Sequence, residues 1–261
     1  QDGLGGGFEG LLRSRSGTVS GILNGVDYRE WDPATGLHLP RRYDSKDLRG
    51  KAFSKAALEK RLGLLANPRA PLYGVVSRLV WQKGIDWVVE LVPWLVSRGA
   101  RLAVLGTGDP AIASALQALA RAHPGQVALT LGYDEALSHL MQAGSDGLLV
   151  PSRTEPCGLT QLYALRYGTP PIVRRTGGLA DTVVDATPGA RKAKTATGFS
   201  FDAPTAEGLK GALERALDLY ENPAEFRRIQ RAGMKADFGW AGPAQRYVEL
   251  YERMLGRSEQ D

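Results

Sequence analysis

A chain of 261 residues, 43% of them hydrophobic and 23% charged, can bury a sizeable core and reads as an ordinary globular protein. The net charge of +5 suits an anionic small ligand, but no Lys/Arg block or basic, aromatic-studded stripe points to nucleic acid. No apolar run reaches the roughly 18–20 residues of a membrane span, and a lone cysteine, Cys157, excludes an internal disulfide framework and favours a reducing compartment.

The chain opens on Gln1 without a charged-then-apolar leader, and Gly3-Leu4-Gly5-Gly6-Gly7-Phe8 reads as the interior of a longer protein. Residues 1–20 are glycine-rich, with one short helix expected around Phe8 to Arg13. Ser20-Gly21-Ile22-Leu23-Asn24-Gly25-Val26-Asp27 is a short apolar piece closed by an Asn-Gly turn. Tyr28 to Arg49, rich in Pro, Asp, Arg and Tyr, is expected to be an extended surface segment. Asp47 to Leu64 returns to helical spacing, with charges on one side.

From Pro71 the pattern becomes βαβα. Strands are expected at Leu72–Val76, Arg101–Gly106, Val127–Leu131, Asp146–Val150 and Pro171–Arg174, with an edge candidate at Gly198–Phe201. Helices fall between them at Ile85–Ser97, Asp109–His123, Glu135–Ala143 and from Leu159. Three more close the chain at Thr205–Tyr220, Pro223–Ala236 and Ala241–Leu255. Strands alternating with helices of roughly 10–15 residues imply an α/β fold with a doubly wound, parallel, Rossmann-like sheet. In such a sheet the ligand crevice lies outside the carboxyl ends of the strands.

The residues with chemistry cluster in the strand-to-helix loops. Arg78 and Lys83, five positions apart after the first strand, could converge on one polyanion, or could be two solvated charges. Gly106-Thr107-Gly108-Asp109-Pro110 resembles half a dinucleotide fingerprint, but its third glycine is missing, which argues against NAD. Asp109 as a helix cap and Pro110 at the first helical position explain it. Tyr133, after the third strand, reads as an ordinary half-buried tyrosine or as a ring for a base. His139 follows on a short helix, where it could face the same cleft, but it reads first as a surface or boundary residue. His38 and His123 lack partners at metal-ligand spacing.

Glu155 sits in the loop after Val150, before a helix opened by Gly158, Leu159 and Thr160. It could cap that helix, hydrogen-bond sugar hydroxyls, or stabilise a cationic anomeric centre. The helix start offers N–H groups and a positive dipole end to an anion. Cys157 has no base at a suggestive spacing. Thr176-Gly177-Gly178 forms a turn before a further helix on the same edge, a second candidate anion site. Arg191-Lys192-Ala193-Lys194 reads as a solvated loop.

The run Val150-Pro151-Ser152-Arg153-Thr154-Glu155-Pro156-Cys157-Gly158-Leu159-Thr160-Gln161 resembles the nucleotide-sugar loop of bacterial glycogen synthases and plant starch synthases. These are retaining glucosyltransferases of the two-domain GT-B fold. The Ser77-Arg78-Leu79…Gln82-Lys83-Gly84 loop, the Gly21-to-Asp27 segment and the Thr176-to-Leu179 run are similar to that family in the same order. The resemblance implies transfer of glucose from ADP-glucose to the 4-OH at the non-reducing end of an α-1,4-glucan. Arg78 and Lys83 would then hold the nucleotide phosphates and Gly108 would border the nucleotide. Tyr133 would lie against the adenine, and the Leu159 and Thr160 amides would hold the distal phosphate. Glu155, Pro156, Cys157, Gly158, Thr176, Gly177 and Gly178 would face the donor sugar, with Cys157 packed behind the loop. No metal and no separate cofactor are implied.

The likeness covers only the family's second domain. Residues 1–20 would be a remnant of an absent first domain or linker, and 21–236 the nucleotide-sugar domain. Residues 237–261 would form a helix crossing back to the absent domain, which becomes the main physical partner. The family's lysine-threonine-glycine-glycine-leucine loop, aspartate and histidine of the first domain have no match here, so ADP binding with little or no synthesis is expected. The implied location is a bacterial cytoplasm, or a plastid for a starch synthase. A GT-B enzyme using UDP-glucose and a non-catalytic nucleotide-binding module are the alternatives.

Overall fold

The computed structural model describes residues 7–256. The chain separates into two compact units, Val26–Asp237 and a smaller one made of the segments on either side. In the smaller unit α1 (Glu9–Ser14) is a short exposed helix, one residue on from its expected place. Gly25 lies so close to the Trp240 backbone that a Cβ would meet its Cα at 2.6 Å, so no side chain fits there. That unit also holds the last helix, Ala241–Met254, on which Tyr247, Val248, Tyr251 and Met254 are all exposed.

The larger unit runs α2 (Arg49–Leu62), β1 (Leu72–Val76), α3 (Ile85–Ser97), β2 (Arg101–Gly106), α4 (Pro110–Ala122), β3 (Val127–Leu131), α5 (Glu135–Gly144), β4 (Gly147–Val150) and α6 (Thr160–Arg166). It continues through β5 (Pro171–Arg174), α7 (Gly177–Thr182), α8 (Pro188–Ala193), β6 (Phe199–Phe201), α9 (Ala206–Tyr220) and α10 (Pro223–Lys235). The six strands are parallel in the order β3-β2-β1-β4-β5-β6. Their apolar runs are buried on both faces, as a sheet covered by helices on each side requires. The chain winds outward from β1 through β2 to β3, then returns to the centre and winds outward from β4. The order therefore reverses between β1 and β4, which pair at Tyr73↔Gly147 and Gly74↔Leu148. Asp109 caps α4 as expected, its carboxylate accepting from the Ala111 N–H at 2.7 Å.

Three expectations are corrected. Tyr28 to Arg49 is not extended surface chain; it is a series of turns with Asp32, Pro33 and Tyr43 buried. The Trp31 ring stacks on Tyr163 at 3.8 Å and on His139 at 4.0 Å, while the Tyr43 hydroxyl donates to the Tyr167 carbonyl at 2.8 Å. Aromatic burial outweighs the segment's polar composition. Arg191 to Lys194 is not a plain loop either, because Thr187 and Pro188 start the short helix α8, ended by Lys194 at φ 61°.

The charges of α2 do not all face water: Lys51, Lys55 and Glu59, one turn apart, are buried. Lys51 Nζ donates to Thr169 Oγ1 at 2.7 Å and to the Ala143 carbonyl at 2.8 Å. Lys55 pairs with Asp146 at 2.7 Å and donates to the Ala70 carbonyl at 2.8 Å. Glu59 pairs with Arg101 at 2.6 Å. These bonds bind α2 to the amino-terminal edge of the sheet, where β1, β2 and β4 begin.

Burial draws the Lys51 ammonium down to about 7 from an ordinary value of 10.5. Between those values the unfolded chain holds a proton that the folded chain has released. Stability therefore rises with pH across that window and is lost as pH falls through about 7. Lys51→Met is expected to remove this tilt, at most about 1.4 kcal/mol per pH unit, when urea midpoints of the two proteins are compared across it.

Candidate functional site

Because all six strands are parallel, the loops after β1 to β5 open on one edge of the sheet. The loops after β1 and β4 flank the point of reversal, where such sheets hold ligands. The first ends in a 3₁₀ turn, Trp81–Lys83, followed by Gly84 at φ 68°. Only glycine suits Gly84, since a Cβ would lie 2.2 Å from the Pro151 carbonyl of the second loop. This close approach lets Lys83 Nζ meet Glu155 Oε2 at 2.5 Å, with side chains only 18% and 11% exposed. The Ser152 hydroxyl donates to the same oxygen at 2.9 Å.

Glu155 is thus not a helix cap: α6 carries no side-chain cap, and the carboxylate is engaged by Lys83 and Ser152 instead. The amides of Leu159 and Thr160 donate to no acceptor among the described residues, and Gly158 turns the chain into them at φ 73°. Arg78 is exposed and its guanidinium makes no bond among the described residues. Its loop is laced to the next one, for the Leu79 N–H donates to the Thr107 carbonyl at 2.9 Å and the Asp109 N–H to the Leu79 carbonyl at 2.8 Å. Gly108 lies against Leu79 in that lacing.

The turn after β5 presses on the Glu155 loop. Cβ atoms on Gly177 and Gly178 would meet the Glu155 and Cys157 carbonyls at 2.0 and 2.1 Å, and the Gly178 N–H donates to the Glu155 carbonyl at 3.1 Å. Thr176 precedes them, buried and without a capping bond. Pro156 is exposed; Cys157 is half-buried, its thiol 3.6 Å from the Gly158 carbonyl. Arg78, Lys83, Gly108, Glu155 to Thr160 and Thr176 to Gly178 therefore belong to one connected set of loops.

Tyr133 follows β3 on the same edge, with its ring 85% exposed rather than half-buried. His139 is corrected in the other direction: it is buried, stacked on Trp31, with Nδ1 2.8 Å from the Tyr167 hydroxyl. Burial, with His38 nearby, holds its pKa down to about 4, so it is a neutral packing group at neutral pH. Among the described residues no group of three His, Cys, Asp or Glu side chains could hold a metal ion.

Sequence reasoning missed the residues that brace these loops. Gln161 Nε2 donates to the Gly158 and Cys157 carbonyls at 2.8 and 3.1 Å and shapes the turn from within. Arg153 reaches back to Asp86 across the crevice at 2.6 Å. The only signals were an arginine and an acidic first-turn residue, and their pairing depends on two loops meeting in space.

Gly84→Ala and Gly63→Ala separate close approach from backbone conformation, because Gly63 has φ 65° with nothing within 4 Å of a Cβ. Gly63→Ala is expected to cost about 1 kcal/mol, and Gly84→Ala at least about 3 kcal/mol, both read from urea unfolding.

The family described as glycosyl transferases group 1 matches residues 59–232. Glycogen synthase 1 of Rhizobium meliloti is 51% identical over 251 residues, covering 96% of this chain and 52% of that protein. The glycogen synthase of Acidiphilium cryptum is 50% identical over 98% of this chain and 53% of its own length. The catalytic domain of starch synthase IV from Arabidopsis thaliana, bound to ADP and acarbose, superposes with a TM-score of 0.90 at 39% identity, over 96% of this chain and 52% of that one. The chain spans about half the length of these relatives. Its sheet is the GT-B-like α/β fold they share, and the chain belongs to the group 1 glycosyl transferases.

Proposed function

We propose that this chain forms the nucleotide-sugar half of a glucosyltransferase that moves glucose from ADP-glucose to the non-reducing end of an α-1,4-glucan with retention. One observation carries the reading: Arg78 and the Leu159 and Thr160 amides, without partners among the described residues, gather with the Lys83–Glu155 pair where the sheet order reverses. The relatives named above support the reaction class, and the ADP in the starch synthase supports the nucleotide.

In this reading Arg78 and Lys83 offset the negative charge that builds on the departing diphosphate. The Leu159 and Thr160 amides receive the distal phosphate. Tyr133 stacks on the adenine, and Gly108 lets the nucleotide lie close to the backbone. Glu155, with Pro156, Cys157, Gly158, Thr176, Gly177 and Gly178 around it, orients the glucose. A double displacement needs a carboxylate free to attack, whereas Glu155 is tied to Lys83 and Ser152. A same-face route fits better: the C1–O bond to the diphosphate breaks, and the acceptor 4-OH adds from that side. The departing phosphate oxygen then takes the hydroxyl proton. No cofactor or metal is assigned a role. The acceptor is placed by residues of the longer protein, so this chain alone binds ADP with little or no synthesis.

Calorimetric titration with ADP, UDP and NAD tests the reading. Selective ADP binding is expected, weakened about tenfold or more by Arg78→Ala and by Lys83→Ala. Equal affinity for UDP would move the donor to UDP-glucose. ADP binding that is indifferent to both substitutions would remove the diphosphate from this crevice.

A further inference from the structure

Arg153 lies two residues before Glu155, and its side chain is only 12% exposed. Its guanidinium is held between two indoles, 4.2 Å from the Trp81 ring and 3.9 Å from the Trp87 ring. Nη1 and Nη2 donate to the two oxygens of Asp86 at 2.6 and 2.7 Å, and Nη1 also donates to the Trp81 carbonyl. The Arg153 N–H donates to the Gln82 carbonyl at 2.8 Å, while its own carbonyl accepts from Arg174 Nη1 at 2.6 Å. Its partners on this side flank Lys83 in the chain: Trp81 and Gln82 precede it, and Asp86, in the first turn of α3, follows it.

We infer that Arg153 is a positioning residue, which grips the loop segment around Lys83 and so fixes Lys83 against Glu155. The geometry stands by itself; that the fixed pair serves a nucleotide sugar rests on the reading above. Three of the guanidinium N–H groups are engaged by Asp86 and the Trp81 carbonyl, and its carbon lies over two indoles, so it acts through Lys83 rather than on a ligand. A planar fork is needed to bind both oxygens of Asp86 at once, and a lysine has no such fork. Without the fork, the turn Trp81–Lys83 keeps its backbone bond from Arg153 but loses its hold on α3. Lys83 is then free to leave Glu155 for water, because a pair between two flexible side chains gains little unless both are held.

The test uses this chain with its lysines ε-methylated with ¹³C, the Lys83 resonance being assigned by its loss in Lys83→Arg. In Glu155→Gln that resonance reports the broken pair. Arg153→Ala, Arg153→Lys and Asp86→Asn are expected to shift it toward the Glu155→Gln position. ADP affinity is expected to fall about tenfold in each, with Arg153→Lys no better than Arg153→Ala. Combining Arg153→Lys with Asp86→Asn should add little, since both break one unit. A purely structural role would lower the melting temperature and leave the Lys83 resonance in place. An unmoved Lys83 resonance in folded Arg153→Lys and Asp86→Asn would overturn the inference, and these milder variants decide it if Arg153→Ala fails to fold. Should the parent chain not bind ADP at all, the donor-site reading fails while the resonance still decides what Arg153 does.

Discussion

The Lys83–Glu155 pair joins the two halves of the winding. One partner comes from the loop after β1 and the other from the loop after β4, so it exists only because the strand order reverses between them. With the chain wound in one direction only, those loops would stand apart at the same edge. Parallel strands bring every loop to that edge; the reversal makes the loops after β1 and β4 neighbours. Gly84 lets the backbones touch, and Ser152 aims the carboxylate. The turn at Gly177 and Gly178 supports the Glu155 loop from its other side.

The opposite edge of the sheet is held by charge of another kind. Lys51, Lys55, Glu59, Arg101 and Asp146 are removed from most of the solvent, yet their polar ends meet carbonyls, hydroxyls or each other. Burying charge is costly without such partners and tolerable with them. Their positions at the starts of β1, β2 and β4 fasten the central strands to α2. The floor under the crevice is thereby set from below, while the loops above it carry the candidate site.

Much of this was legible in the sequence because the relevant forces are local. Short apolar runs marked the strands, Asp109 with Pro110 marked a helix start, and alternation of elements implied the winding. Arg78, Lys83, Glu155 and the Thr176 turn could then be placed on one edge by topology alone. What stayed hidden depends on partners far along the chain. Tyr43 finds Tyr167 across 124 positions, so nothing local marked the turns of Tyr28 to Arg49 as buried. Helical spacing put Lys51, Lys55 and Glu59 on one face but could not say that carbonyls awaited them. The brace from Arg153 to Asp86, across 67 positions, was equally silent.

A preformed ion pair at the crevice has an energetic consequence for any polyanion that enters. Lys83 arrives already stripped of most of its water and already neutralised by Glu155, so a diphosphate must share this ammonium rather than claim it whole. Arg78, exposed and without a bond among the described residues, offers the stronger long-range attraction, while the fixed amides of Leu159 and Thr160 ask for no reorganisation. In the proposed reaction, as charge grows on a leaving phosphate, Lys83 would turn from the carboxylate toward it without moving its backbone, because the segment on either side is gripped. Its contribution would then increase as that reaction proceeds, which is the condition for accelerating a step rather than merely tightening the bound ground state.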